Sequence, residues 1–177
     1  MKTLYTQVFE FIDSHRSDML AMWEDFVNMP SQARDREAAM RMAEKLTAVL
    51  EETGMTVTAH DVGPVNSCTL EAVWGADRPG QPVLFGGHYD TVNSSPVENP
   101  VPGADNEWDG TPHFRVDSQG KAYGLGCLDM KGGIVIAIWV VKALQALGWA
   151  ERPVKFILAG DEDKGHFDAD TPQLLIR

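Results

Sequence analysis

Residues 83–92 read Val-Leu-Phe-Gly-Gly-His-Tyr-Asp-Thr-Val. The apolar run, followed by glycine and then by polar residues, is typical of a short strand that ends at an edge of a sheet. Residues 154–163, Val-Lys-Phe-Ile-Leu-Ala-Gly-Asp-Glu-Asp, have the same arrangement. Because sites in open α/β sheets lie beyond the carboxyl ends of strands, the polar residues after both runs are candidates for a functional site.

Helical and strand patterns alternate around these two runs. Apolar residues recur at spacings of three and four in residues 4–26, with a break near Ser17, and again in residues 39–50. Residues 67–74 alternate with a period of two, and residues 134–147 are long and apolar enough for a buried helix. A glycine follows each of the last two helical stretches, as is common at helix ends. This order predicts an α/β fold, a layered mixed sheet flanked by helices.

One long irregular segment interrupts the pattern. Residues 93–121 are rich in Pro, Asn, Asp and Gly. Loops of this length inside a compact domain are usually functional, so the segment is expected to lie near the site.

Composition limits the partners and the compartment. A chain of 177 residues with 44% hydrophobic content fits a single domain. Fifteen basic and 26 acidic residues give a net charge of −11, which argues against nucleic acid or a membrane as a partner. Residues 1–16 lack a signal-peptide pattern, no stretch reaches membrane-spanning length, and Cys68 and Cys127 are too few for a disulfide framework. We expect an unprocessed cytoplasmic protein with two free thiols.

The polar clusters contain the residue types of a metal site. His88 and Asp90 follow the first strand, Glu162 and Asp163 follow the second, and Asp129 lies just before the third helix. Imidazole and carboxylate groups without paired thiolates favour a catalytic zinc site or a similar divalent centre. Residues two apart in a strand share a face, so Asp90 is expected to support the His88 ring. Adjacent carboxylates would raise one another's pKa values without a cation.

Each cluster taken alone has a structural interpretation. A histidine at a strand end is usually a hydrogen-bonded structural residue. Residues 161–163 fit a solvated loop or a helix start, Asp129 fits a helix cap, and the glycines fit tight turns. A calcium loop over residues 161–170 is rejected, because Gly165 and His166 stand where a further ligand and the glycine are required.

The joint pattern resembles the M20 family of metallopeptidases. The resemblance is carried by residues 86–92, 123–133 and 160–163, in the family's order and over nearly the whole chain. Supporting features are Pro30-Ser31 at the start of the second helix, Asn66 before the period-two strand, and Trp108 and Phe114 in the irregular segment. The family includes aminoacylases, acetylornithine deacetylases, succinyl-diaminopimelate desuccinylases and glutamate carboxypeptidases.

The resemblance implies a zinc-peptidase-like catalytic domain that binds two divalent metal ions. Zinc is the expected metal, and cobalt and manganese are the alternatives. It implies that His88 binds one ion, Asp129 bridges both, and Asp163 binds the other. Glu162 would be the general base, and Asp90 would support the histidine. It also implies a cis peptide bond after Asp129. The expected reaction is hydrolysis of an amide bond in a small peptide or an N-acyl amino acid.

Two features depart from the family pattern. Asp163 stands where the family usually has glutamate. Family members are also longer than 177 residues, with a further acidic ligand, a histidine near the carboxyl terminus, and a lid domain that often mediates dimerisation. We therefore expect residues 1–177 to be the amino-terminal part of a catalytic domain, without the lid, inactive and weak in metal binding by itself. A homodimer is an option for the full-length protein. The alternatives are a non-catalytic metal- or partner-binding domain that keeps the fold, and a two-metal phosphatase.

Overall fold

The computed structural model describes residues 2–33, 35–63, 67–92 and 113–163. Within them, four helices and six strands follow one another along the chain, together with one irregular helical turn. The helices are α1 (Leu4–Ser14), α2 (Arg16–Asn28), α3 (Arg36–Glu52) and α4 (Gly132–Ala146); the strands are β1 (Thr56–Asp61), β2 (Cys68–Trp74), β3 (Val83–His88), β4 (Arg115–Val116), β5 (Ala122–Tyr123) and β6 (Val154–Ala159). The irregular turn, Cys127–Lys131, is called the Asp129 turn below.

The predicted helices are present, with one correction. The first helical stretch breaks at His15, close to the predicted position near Ser17; His15 leaves the helical conformation and its ring nitrogen lies 2.7 Å from the Phe11 carbonyl oxygen. Pro30-Ser31 does not start the second predicted helix. That helix starts at Arg36, where the Asp35 side chain accepts a hydrogen bond from the Ala38 amide and so caps the first turn.

The main sheet has four strands in the order β1-β2-β6-β3. β1 and β6 both pair antiparallel with β2, whereas β3 pairs parallel with β6, so the sheet is mixed as predicted. The pairing of β3 with β6 sets His88 opposite Ala159. The residues that follow these two strands therefore leave the sheet at the same edge.

Two strand regions were missed by sequence reasoning. β1 is mostly exposed and has no apolar alternation, so only its pairing with β2 defines it. β4 lies inside the segment predicted to be irregular and forms a small hairpin with β5, in which the Asp117 side chain accepts hydrogen bonds from two turn amides. Strands of two residues are too short to give a period. Residues 93–112 lie outside the described part of the chain.

The core lies where α3 and α4 pack on the sheet. α3 packs on β1 and β2, α4 packs on β3, and α1 and α2 pack against α4. The largest fully buried apolar side chains of this core are Phe26, Met42, Leu46, Leu50, Leu70, Ile134, Ile138 and Phe156. Among the described residues, no helix combines the length and the apolar character that crossing a bilayer requires.

Both cysteines are free, as predicted, and both are buried. Burial raises the pKa of the Cys127 thiol to about 11. Cys127 is therefore protonated at neutral pH in the metal-free protein.

Candidate metal centre

The candidate centre forms at the edge where β3 and β6 end. His88 is the last residue of β3, and Glu162 and Asp163 follow the end of β6. Gly160 makes this approach feasible, because a Cβ atom there would overlap the buried Tyr89 hydroxyl and lie 2.8 Å from the Cys68 carbonyl oxygen. Two of the three predicted segments thus meet through strand pairing.

His88 is almost fully buried, and its two ring nitrogens face different carboxylates. Nδ1 lies 3.2 Å from the Asp90 carbonyl oxygen and 3.4 Å from Asp90 Oδ1. Nε2 lies 2.9 Å from Asp129 Oδ1 and 3.7 Å from Glu162 Oε2. Asp163 Oδ2 also lies on the Nδ1 side, 3.9 Å away. With Nδ1 held by Asp90, Nε2 is the nitrogen that faces Asp129 and Glu162 and could bind a metal.

Asp90 is fully buried and joins the two strand ends. Its Oδ1 accepts a hydrogen bond from the Glu162 amide at 3.2 Å, and its Oδ2 accepts one from the Asp163 amide at 2.9 Å. One carboxylate therefore orients the imidazole and also holds the backbone of residues 161–163, called the acidic loop below. Sequence reasoning predicted the first contact and missed the second.

Asp129 reaches the centre from the irregular turn. The peptide bond between Asp129 and Met130 is cis, as the family resemblance implied, and both residues have non-helical backbone angles. The Asp129 side chain is 74% exposed and reaches back to His88 Nε2. The carboxylate is therefore accessible from solvent as well as from the imidazole.

The charges of the cluster shift the pKa values of its members. Burial alone lowers the pKa of His88, but hydrogen bonds to Asp90 and Asp129 and the charges of Asp90 and Asp163 outweigh burial and raise this pKa to about 9. For Asp163, burial raises the pKa to about 6, and the charges of neighbouring carboxylates add to this effect, whereas His88 opposes it. The site therefore holds more protons than isolated side chains would.

These side chains fit a divalent cation. One ligand atom each from His88, Glu162 and Asp163 lie within 4.8 Å of one another. Asp163 Oδ2 is buried and has no hydrogen-bond partner within the described part of the protein, an unfavourable state that a metal ion would relieve. Asp129 is outside this group of three but next to His88. Asp90 and Asp129 lie against the two ring nitrogens of His88. The five predicted side chains therefore form one cluster, while the role of each stays a prediction.

A cleft of about 290 Å³ opens beside the acids. It is lined by Thr91, Val92, residues 124–129 and Asp163, so a small molecule placed in it would face the carboxylates of Asp129 and Asp163. A larger groove of about 550 Å³ lies between α1, α2 and α4, but its lining has no histidine and no acid. The cleft is therefore the better candidate for the reaction site.

Some residues named from the sequence are not described by the structure. Asn66, Trp108, residues 161–170 beyond Asp163, and the chain end at Arg177 fall outside the described ranges. Phe114 is described, and its ring packs against Trp23 while its amide donates to the Asn28 side chain. One buried residue near the centre was overlooked: Lys131, whose burial lowers its pKa to about 8. The sequence feature that could have identified it is a lysine placed immediately before an apolar helix.

Comparison with known proteins identifies the family of the chain. The model of peptidase family M20/M25/M40 matches residues 84–175. The chain is 29% identical to human Beta-Ala-His dipeptidase over 92% of its length and 33% of that protein, and 31% identical to succinyl-diaminopimelate desuccinylase of Gluconacetobacter diazotrophicus over 81% of its length and 34% of that protein.

The structure superposes on that of human carnosine dipeptidase 1 with a TM-score of 0.78 and 26% identity, covering 93% of this chain and 36% of the other. The chain thus spans about a third of the length of these relatives. The family match covers more than half of the chain and contains every predicted metal-facing residue. The chain belongs to peptidase family M20/M25/M40.

Proposed function

We propose that the protein containing this chain hydrolyses an amide bond in a small peptide or an N-acyl amino acid, using two divalent metal ions. The observation that carries this proposal is the convergence of His88, Glu162 and Asp163 within 4.8 Å, with Asp129 beside the imidazole. The related dipeptidases and desuccinylases support the reaction class. Because the chain covers about a third of them, the activity is proposed for the whole protein.

His88 Nε2, Asp129 and Asp163 would hold the metal ions, with zinc favoured and cobalt or manganese as alternatives. When bound, the ions supply Lewis acidity that lowers the pKa of water and polarises the scissile carbonyl. Asp129 is suited to bridging because its carboxylate is exposed and close to the imidazole. The shorter side chain of Asp163 reaches the centre because its backbone amide is tied to Asp90.

Glu162 would act as general base and then as general acid. Its carboxylate is half exposed, lies 3.7 Å from the imidazole, and has its backbone held by Asp90. It would take a proton from the attacking water and deliver it to the leaving nitrogen. Because its backbone is fixed and its side chain is half exposed, the carboxylate of Glu162 could exchange this proton with both the water and the leaving nitrogen.

The Glu162→Gln substitution tests this role in the full-length protein. Glutamine keeps the size of the side chain but cannot accept the proton, so we expect turnover to fall by about 10²- to 10⁴-fold or more while metal content stays unchanged. Glu151→Gln is the matched control, since Glu151 is exposed and precedes β6 at the opposite end of the strand. Turnover and elemental analysis are measured together, and substantial activity in Glu162→Gln would remove Glu162 from this role.

A substrate panel separates the proposal from its alternatives. Dipeptides and N-acyl amino acids should be hydrolysed, and phosphate esters should not. Metal-loaded full-length protein without amidase activity would favour a non-catalytic domain that keeps the hydrolase fold. Phosphate release would favour a two-metal phosphatase.

We infer further that residues 1–177 form the amino-terminal part of the catalytic domain, and that alone they bind metal weakly and are inactive. The described residues supply three proposed ligands, His88, Asp129 and Asp163, whereas a catalytic zinc ion alone usually has about three protein ligands and two ions would need more. The free thiols fit a reducing compartment such as the cytoplasm. Homodimerisation of the full-length protein stays part of this proposal.

A further inference from the structure

Lys131 is a buried lysine to which the proposed reaction gives no role. Its side chain is 1% exposed, and its Nζ donates hydrogen bonds to the carbonyl oxygens of Phe26 at 2.9 Å and Met29 at 2.6 Å. These carbonyls lie at the carboxyl-terminal end of α2, where the helix dipole favours a cation. Lys131 therefore fastens the Asp129 turn to the end of α2.

A second contact holds the beginning of the same turn. Trp23 Nε1 donates to the Cys127 carbonyl oxygen at 3.1 Å. Gly132 leaves room for this contact, because a Cβ atom there would lie 2.8 Å from the Cys127 oxygen and 3.2 Å from Trp23 Nε1. Both ends of the Asp129 turn are thus bound to α2.

The chain that leaves α2 is bound in turn to the end of β3. Ser31 Oγ donates to the Tyr89 carbonyl oxygen at 2.7 Å, and the Ser31 carbonyl accepts from the Thr91 amide at 3.0 Å. The Thr91 carbonyl accepts from the Ala33 amide at 2.9 Å. Residues 26–33, called the bridging segment here, therefore contact the Asp129 turn at one end and the chain around His88 at the other.

We propose that Lys131 is a positioning residue that, through the bridging segment, fixes the Asp129 carboxylate relative to the His88 imidazole. The Asp129 side chain is largely exposed and lies on irregular backbone, so its place depends on how the turn is held. The bridging segment supplies that hold from buried groups. The inference rests on the proposed function, because the distance between these side chains matters only if both bind the same metal centre.

The test is cobalt binding by full-length protein. Lys131→Met keeps the length of the side chain and removes its donors, so we expect affinity for Co²⁺ to fall about 10- to 100-fold, as when groups that orient metal ligands are lost, and the visible spectrum of bound Co²⁺ to change. The matched control is Gln145→Met, which removes a hydrogen bond of the same kind, from Gln145 Nε2 to the Thr53 carbonyl at the end of α3, remote from the centre. The control should keep wild-type affinity and spectrum.

Thermal unfolding of the metal-free variants separates positioning from loss of fold. Equal drops in melting temperature for both variants, with unchanged Co²⁺ affinity in Lys131→Met, would overturn the proposal. If Lys131→Met does not fold, Ser31→Ala, which removes one hydroxyl at the other end of the bridging segment, should lower Co²⁺ affinity several-fold; unchanged affinity would again overturn it.

The two proposals fail in different ways. Wild-type protein that binds Co²⁺ through His88 and Asp129 but hydrolyses no amide would contradict the proposed function, while the Lys131 inference would still be decided by affinity and spectrum. Wild-type protein that binds no metal would overturn both.

Discussion

At the scale of single residues, the carboxylate of Asp90 links the imidazole to the acidic loop. It lies beside His88 Nδ1 and accepts hydrogen bonds from the backbone amides of Glu162 and Asp163. The hydrogen bond and charge of Asp90 raise the pKa of His88 in the metal-free protein, and the same contact would orient the neutral imidazole toward a metal.

The raised pKa of His88 predicts how the stability of metal-free protein depends on pH. The pKa is about 9 in the folded protein against 6.5 for an unperturbed histidine. The stabilisation from protonated His88 is therefore complete below pH 6.5 and lost as the pH rises toward 9. Asp163, with its pKa raised to about 6, stabilises when protonated at low pH and loses that contribution as the pH passes 6. Stability should thus decline above neutral pH.

The measurement is the free energy of unfolding by denaturant, in the presence of a chelator, between pH 6.5 and 8. Lys131 acts in the opposite direction, because its pKa is lowered to about 8, but its effect on stability grows mainly above this window. The decline should be flatter in His88→Gln, which does not titrate. A wild-type profile as flat as that of the variant would contradict the prediction. Metal affinity should increase over the same window, because a metal must displace the proton from His88.

At the scale of secondary-structure elements, the parallel pairing of β3 with β6 brings the first two parts of the centre together. Gly160 lies where β6 leaves the sheet against Tyr89, whose hydroxyl donates to the Cys68 carbonyl oxygen and lies 2.6 Å from Ser67 Oγ. This group of buried polar atoms leaves no space for a side chain at position 160. The acidic loop therefore starts from a closely packed point.

Gly160→Ala should destabilise the protein by about 1–3 kcal/mol, since the added methyl forces buried neighbours to move. Gly86→Ala is the matched control: Gly86 is a glycine of the paired strand β3, and a Cβ atom there would meet nothing within 4 Å. Denaturant unfolding of both variants checks the difference. Equal stability of the two would show that the packing around Tyr89 does not limit position 160.

The elements also show why sequence predicts some of this structure and not the rest. Residues 83–92 and 154–163 identify their strands and site residues, because a buried strand and the polar residues at its end are both local in sequence. β1 is defined by pairing with β2, and its own residues give no period. Lys131 was overlooked for a similar reason: its partners, the carbonyls of α2, lie about a hundred positions earlier. Contacts between residues so far apart in sequence form only in the folded chain, so local sequence patterns do not reveal them.

At the scale of the whole molecule, the centre is made by segments that are far apart along the chain. Asp129 is 41 positions from His88, and Asp163 is 73 positions from Asp90. A site of this kind exists only in the folded chain, so metal binding should also stabilise the fold. The central claim is that these segments surround a common cation.

The most direct test is anomalous diffraction from crystals of the full-length protein loaded with zinc. The account predicts a zinc peak about 2.0–2.2 Å from His88 Nε2, with carboxylate oxygens of Asp129 at a similar distance, and a second peak bound by Asp163. Zinc bound only at other side chains, or His88, Asp129 and Asp163 directed away from any shared ion, would contradict it.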